Sequence, residues 1–219
     1  DLSEEFLTKK DDYNFVQVNS DNIKSAIKQI TDLSLKKGLD ERNVQILAPM
    51  YKGEAGIDAL NLCLQEIYNP RKRNKEEVIY GEFVYREGDK VLQLVNDLDT
   101  NVFNGDIGFI ESIMGNKIII DYDGNKVTYE KKDLKNIKHA YAISIHKSQG
   151  SEFMHVIMPI SKSYYKMLYN KLIYTGVSRA KKSLTLVGDA AAFQRAVANN
   201  YSSSRKTSLK EQITIVYNK

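Results

Sequence analysis

The chain has 219 residues, 42% of them hydrophobic and 27% charged, with one cysteine, no tryptophan and three prolines. This composition excludes a disordered chain, and the length is ample for a buried core in one large domain or two smaller ones. No apolar run approaches the ~20 residues that span a bilayer, the first thirty residues lack a signal peptide's apolar core, and Cys63 alone makes neither an internal disulfide nor a thiolate zinc site. A reducing cytoplasm is therefore expected, with no membrane association and no metal site.

The net charge of +4 is unevenly distributed. Residues 1–80 carry 12 basic and 14 acidic side chains, and residues 81–137 carry 7 and 11. Residues 138–219 carry 13 basic side chains against Glu152, Asp189 and Glu211. A last third this basic attracts polyanions, nucleic acid or nucleotide phosphate being the usual ones; the plainer alternative is a solvated basic face.

In chain order, residues 14–18 predict a short strand, and Ser20-Asp21 a helix start. Ile23, Ile27, Ile30, Leu33 and Leu35 give the following helix its apolar positions. Residues 44–48 (VQILA) form an unbroken apolar strand of the parallel-sheet kind, ended by Pro49, and 58–68 a second helix. Residues 69–77 (NPRKRNKEE) contain no apolar side chain and predict a loop.

From residue 82 the pattern changes to short strands, at 83–85, 91–95, 107–113, 117–122 and 126–129. The dipeptides Gly88-Asp89, Asn104-Gly105, Gly115-Asn116 and Asp123-Gly124 separate them as turns, which suggests a small antiparallel barrel of the SH3 type. An α/β texture then returns, with strands at 141–145, 155–160 and 184–187, a mostly helical stretch at 164–180, and a polar tail from 201. An α/β domain interrupted by an all-β module is expected.

Three segments carry chemistry. Segment 141–153 (YAISIHKSQGSEF) runs from an apolar strand into Ser144, His146, Lys147, Ser148, Gln149, Gly150, Ser151 and Glu152. Polar groups with a glycine at a strand end are where α/β sheets hold ligands, although an ordinary connection is the alternative. In 172–182 (LIYTGVSRAKK), Arg179 is either a surface residue at a helix end or a cation that neutralises a transferring γ-phosphate. In 48–61, Lys52 follows a buried strand in a glycine-containing turn.

Together with 88–110 (GDKVLQLVNDLDTNVFNGDIGFI), these segments closely resemble, in order and spacing, the later motifs of RecD-like superfamily-one DNA helicases, over about residues 14–209. The resemblance implies an α/β fold: a RecA-like parallel sheet with helices on both faces, built from residues 1–80 and 138–219, interrupted by an SH3-like antiparallel β-barrel at 81–137. It implies ATP-driven 5′-to-3′ translocation on single-stranded DNA and unwinding at duplex junctions. Arg179 matches the motif VI arginine that reaches the γ-phosphate. Lys52 takes the motif IV basic position, usually arginine, and so lacks the bidentate fork. Gln149, Gly150 and Glu152 match the nucleotide-facing part of motif V, and Ser144, His146 and Lys147 its DNA-facing part. Asn104 is a weaker DNA candidate from the barrel.

A motor of this family also needs a Walker A loop, G-x-x-x-x-G-K-[ST], yet none of the twelve glycines here precedes a lysine. ATP with Mg²⁺ is therefore expected to be held mainly by a first RecA-like domain outside this sequence. The expectation is the C-terminal part of a cytoplasmic, nucleoid-associated helicase, inactive as this chain alone. The alternative is a non-enzymatic adaptor whose barrel binds a protein partner, such as a proline-rich peptide, while its basic third binds nucleic acid.

Overall fold

The computed structural model describes residues 7–73, 75–165 and 167–199, so the tail expected from 201 lies outside it. A five-stranded, wholly parallel sheet forms the larger unit, in the order β1 (Tyr13–Gln17), β12 (Ala180–Gly188), β11 (Phe153–Ile160), β2 (Val44–Ala48), β10 (Ala142–Ser144). Every residue of β2 is buried, as a mostly apolar run requires near the centre of such a sheet; the one polar member, Gln45, donates Nε2 to the Ala140 and Tyr141 carbonyls at 3.0 and 3.1 Å.

Helix α1 (Ile23–Lys36) crosses from β1 to β2, and α2 (Ile57–Tyr68) follows β2; the two helices pack together. Helix α3 (Asn170–Val177) connects β11 back to β12, moving across the sheet in the opposite direction, and packs with α4 (Ala190–Ala198). Right-handed crossovers that advance in opposite directions must lie on opposite faces, so helices cover both sides.

The stripe that α1 buries is Ile23, Ile27 and Thr31, whereas Leu33 and Leu35 are exposed. At 100° per residue those two leucines lie about 120° and 80° from the stripe's centre, too far round to reach the sheet. The expected start at Ser20-Asp21 is a short 3₁₀ turn, Ser20–Asn22, without a side-chain cap.

The second unit is antiparallel. A hairpin, β3 (Glu77–Tyr80) with β4 (Phe83–Arg86), precedes β5 (Lys90–Gln93), β6 (Ile107–Met114), β7 (Lys117–Tyr122), β8 (Asn125–Glu130) and β9 (Ile137–His139). The last five form a sheet in the order β8-β7-β6-β5-β9. Its core includes Tyr85, Ile110, Ile118, Ile120, Tyr122, Tyr129 and Leu134. Gly108 is obligatory there, because a Cβ would lie 2.7 Å from the Tyr122 ring. The elements of this module run from Glu77 to His139, a few residues beyond 81–137 on each side. Position 81 is the turn of the β3–β4 hairpin and 137 the first residue of β9, so neither is a natural boundary.

Strand β5 belongs to both units. Alternation sends Val91 into the core of the β module and Leu92 into the core of the parallel-sheet unit. The modules therefore share a strand and are not beads on a linker.

Two further differences bear on the site. The stretch expected as mostly helical from 164 consists of a 3₁₀ turn, Lys162–Tyr164, and then α3. Tyr164 is buried, its hydroxyl donating 2.5 Å to the Ala55 carbonyl, which ties that turn to the loop after β2. Strand β12 begins at Ala180 and not at 184. Its first residues pair only with β11, because β1 joins at Leu184, and this one-sided edge leaves Lys181 and Lys182 in solvent.

Candidate nucleotide and nucleic-acid interface

Ser144 ends β10 level with Ala48, at the C-terminal ends of the parallel strands. Phe153 starts β11 beside Ala180, at the N-terminal ends. The segment between them, 145–152, thus descends the full height of the sheet. It does so in tight turns: Lys147 N–H donates to the Ser144 carbonyl at 2.9 Å, Gln149 N–H to His146 at 3.3 Å and Ser151 N–H to Ser148 at 3.1 Å. Ser148 is buried at the centre, its hydroxyl donating 2.7 Å to the Ile145 carbonyl. Gly150 ends the turns at φ +90°, with nothing within 4 Å of where a Cβ would stand.

At the upper end, His146 is exposed and Lys147 half-buried. The Lys147 ammonium donates to Oδ1 of Asn104, so the β5–β6 turn of the inserted module lies against this segment. Asn104 is held in turn by its N–H bond to Asn96 Oδ1 at 2.9 Å, and the next N–H, of Gly105, donates to Gln93 at 2.9 Å. Ser144 is buried, and its hydroxyl accepts the Lys147 N–H at 3.2 Å. It shapes the turn and presents no surface hydroxyl.

At the lower end stands Arg179, between the C-cap of α3 at Ser178 and the start of β12. Its Nε donates to the Thr175 carbonyl at 3.2 Å, Nη1 to the Ser151 carbonyl at 3.1 Å and Nη2 to Ser178 Oγ at 3.1 Å. All three acceptors are neutral, and no ion pair with a carboxylate is formed among the described residues. A guanidinium has five N–H donors, so two remain for a ligand, together with the whole charge. Nearby, exposed Glu152 pairs with Lys181 at 3.1 Å, and Gln149 and Gly150 are exposed.

Lys52 is exposed in the loop after β2. That loop is tight: Gly56 N–H donates to Gly53 at 3.0 Å and Ile57 N–H to Met50 at 2.9 Å. Lys52 follows a strand's C-terminal end and Arg179 precedes a strand's N-terminal end; among the described residues no hydrogen bond or ion pair joins them. The structure therefore joins Arg179 to the lower part of 145–152, which carries Gln149, Gly150 and Glu152, and joins Asn104 to Lys147, beside His146, at the upper part. Lys52 follows β2 at the same strand end as Ser144, with no bond to either set among the described residues. Ser151 holds Arg179 through its carbonyl, a role that residue type does not show, since a backbone acceptor leaves no mark on the sequence. Among the described residues no three His, Cys, Asp or Glu side chains converge as a metal set, and no helix is long and apolar enough to cross a membrane.

The aromatic side chains of the β module serve its core. Tyr85, Tyr122 and Tyr129 are buried, Tyr80 and Phe83 pack against the same cluster, and Arg42 covers the Phe109 ring at 3.9 Å. Phe103 is exposed.

A model of the ATP-dependent RecD-like DNA helicase SH3 domain matches residues 60–128, and one of the UvrD-like helicase C-terminal domain matches 139–187. The chain belongs to the RecD-like helicases. The first match contains Asn104 and the second contains Ser144 through Arg179, while Lys52 lies in neither. This RecD-like chain is 36% identical over 170 residues to the ATP-dependent RecD2 DNA helicase of Deinococcus radiodurans, covering 78% of itself and 23% of that protein. It is 33% identical over 165 residues to the RecBCD enzyme subunit RecD of Buchnera aphidicola subsp. Acyrthosiphon pisum, covering 73% and 27%. It thus spans about a quarter of the length of these relatives. A solved structure concerning DNA unwinding at forked duplex DNA by two coordinating Pif1 helicases shares the fold, with a TM-score of 0.53, 18% identity, and coverage of 92% of this chain and 52% of that one.

Proposed function

We propose that this chain is the second motor domain, with its SH3-like insert, of an ATP-dependent helicase that moves 5′-to-3′ on single-stranded DNA and opens duplex junctions. One observation carries the reading. A single segment, 145–152, runs from the Asn104–Lys147 contact at one end of the sheet to the Ser151–Arg179 contact at the other. A ligand that moves one end would load the other through turns in which the Lys147, Ser148, Gln149 and Ser151 amides are bonded.

Arg179 would neutralise charge developing on the γ-phosphate of ATP held by a first RecA-like domain, which would also bind Mg²⁺. The fit is chemical: the guanidinium is uncompensated, and Gly150 leaves open space for a phosphate to approach backbone. Lys147, His146 and Asn104 would meet the DNA strand, the cation taking phosphate and the amide a base or sugar. Tyr174, 72% exposed on the helix that precedes Arg179, offers apolar surface to the opposing domain.

The test uses the full-length helicase. Single-stranded DNA should stimulate its ATPase, and it should unwind a 5′-tailed duplex in preference to a 3′-tailed one. The 219-residue chain alone should show negligible turnover. Strong DNA-stimulated turnover by that chain, or unwinding of the 3′-tailed substrate only, would overturn the reading.

A further inference from the structure

Asp89 is 0% exposed, although the sequence places it in a Gly-Asp turn dipeptide at the entry to β5. Five groups converge on its carboxylate. Oδ1 accepts from Asn69 Nδ2 at 2.7 Å and from the Tyr141 hydroxyl at 2.9 Å. Oδ2 accepts from Gln65 Nε2 at 2.6 Å and the Arg86 N–H at 2.8 Å, with His139 Nε2 at 3.2 Å. Gln65 Nε2 also donates to the Val84 carbonyl at 2.8 Å, which uses both of its hydrogens. The third neighbour of that nitrogen, His139 Nε2 at 3.1 Å, must then carry its own hydrogen and direct it at Asp89.

The donors come from four places around the junction. Asn69 and Gln65 belong to the end of α2, Arg86 to β4, His139 to β9, and Tyr141 to the link into β10. Stacked rings wall the site: Tyr85 on His139 at 4.6 Å, and Tyr68 on Tyr141 at 5.7 Å. A dry carboxylate with every lone pair used tolerates little displacement of any donor.

Lys90 is buried, and its Nζ donates to the Glu41 carbonyl at 2.7 Å and to Gln45 Oε1 at 2.9 Å, on the parallel-sheet side. From there β5 runs through buried Val91 and Leu92, about 10 Å, to buried Gln93. Gln93 accepts from Gly105 N–H at 2.9 Å and donates its own N–H to Asp106 at 2.8 Å. Those two bonds hold the turn whose Asn104 meets Lys147.

We infer that Asp89 is a positioning residue for the DNA track: its buried hub fixes β5 to α2 and to the β10 link, and β5 in turn sets where Asn104 meets Lys147. This rests on the helicase reading only for its functional consequence. The structural half stands on the chain itself.

The experiment has two arms. In the 219-residue chain, Asp89→Asn replaces one acceptor oxygen with a donor facing donors. Amide hydrogen exchange at Gly105 and Lys147 should accelerate about tenfold or more, while the central-strand amides of Ile46 and Leu47 stay protected. In the full-length helicase the same variant should raise the single-stranded DNA concentration for half-maximal ATPase by about fivefold or more, with DNA-independent ATPase unchanged. The effect should disappear in a Lys147→Ala background, because both changes then act on one contact.

Should Asp89→Asn fail to fold, Tyr141→Phe removes one donor without loss of ring volume and decides the question by the same readouts. Unchanged exchange at Gly105 and Lys147, or a DNA effect that adds fully to that of Lys147→Ala, overturns the inference. A wild-type enzyme whose ATPase ignores DNA overturns the helicase reading instead, and leaves the exchange arm to judge Asp89.

Discussion

Lys147 donates its ammonium to Asn104, 43 positions earlier in the chain, and thereby joins the parallel-sheet unit to the turn of its inserted β module. An amide oxygen does not cancel the charge of its donor, so Lys147 keeps a full positive charge at a fixed place.

Lys147→Ala should weaken single-stranded DNA binding by the full-length helicase and lower the slope of log affinity against log salt by about 0.7, the value for one phosphate contact. Asn104→Ala should weaken binding with the slope nearly unchanged, since it removes no charge. Anisotropy titrations over a salt series separate the two. Equal slopes for wild type and Lys147→Ala would remove the phosphate assignment.

Arg179→Ala should reduce ATP hydrolysis by the full-length protein about 10³-fold or more, with ATP binding changed far less, because the cation acts on charge that develops late. Arg179→Lys should not restore the rate: an ammonium cannot reach Thr175, Ser151 and Ser178 as a planar fork does. Single-turnover hydrolysis beside nucleotide titration measures both. Near-normal turnover in Arg179→Ala refutes the role.

Burial holds the Lys90 amine at a pKa of about 7, down from the ordinary 10.5. Between those two values the unfolded chain binds a proton that the folded chain does not, so stability rises with pH across the window and is lowest below about 7. The melting temperature of the chain should therefore increase from pH 6.5 to 9 by a component that Lys90→Met abolishes. An identical pH profile in the two proteins would contradict it.

Gly56 has no room for a side chain: a Cβ would stand 2.5 Å from the Tyr51 carbonyl oxygen and 2.6 Å from Lys52 backbone atoms. Gly56→Ala should cost about 1–3 kcal/mol and displace the Lys52 loop. Denaturant unfolding gives the first quantity. Unfolding at wild-type denaturant concentrations would mean that the loop yields freely.

The parallel sheet was legible because β2 is apolar at every position but Gln45, and only a doubly covered sheet buries such a run. The turns at Asn104-Gly105, Gly115-Asn116 and Asp123-Gly124 were legible because positive φ selects their residues: Gly105, Gly115, Asp123 and Gly124 all adopt it. Strand β3 was not, since Glu77 to Tyr80 follows a polar loop and owes its pairing to β4. Nor was α4, a nine-residue helix that opens on three alanines; its start is fixed by Asp189, which caps the Ala192 N–H at 2.8 Å. Asp89 read as a surface turn because its donors lie as far as 52 positions away.

By itself the sequence determined where the candidate groups stand along the chain: a cation after a helix, a glycine-containing polar segment after an apolar strand, and an asparagine-glycine turn. Residue type and spacing encode these because strands, turns and helix ends impose local rules. Only the tertiary structure decided which of them meet. It set Arg179 on Ser151 and Asn104 on Lys147, because strand register and the shared strand β5 fix distances that no local rule contains.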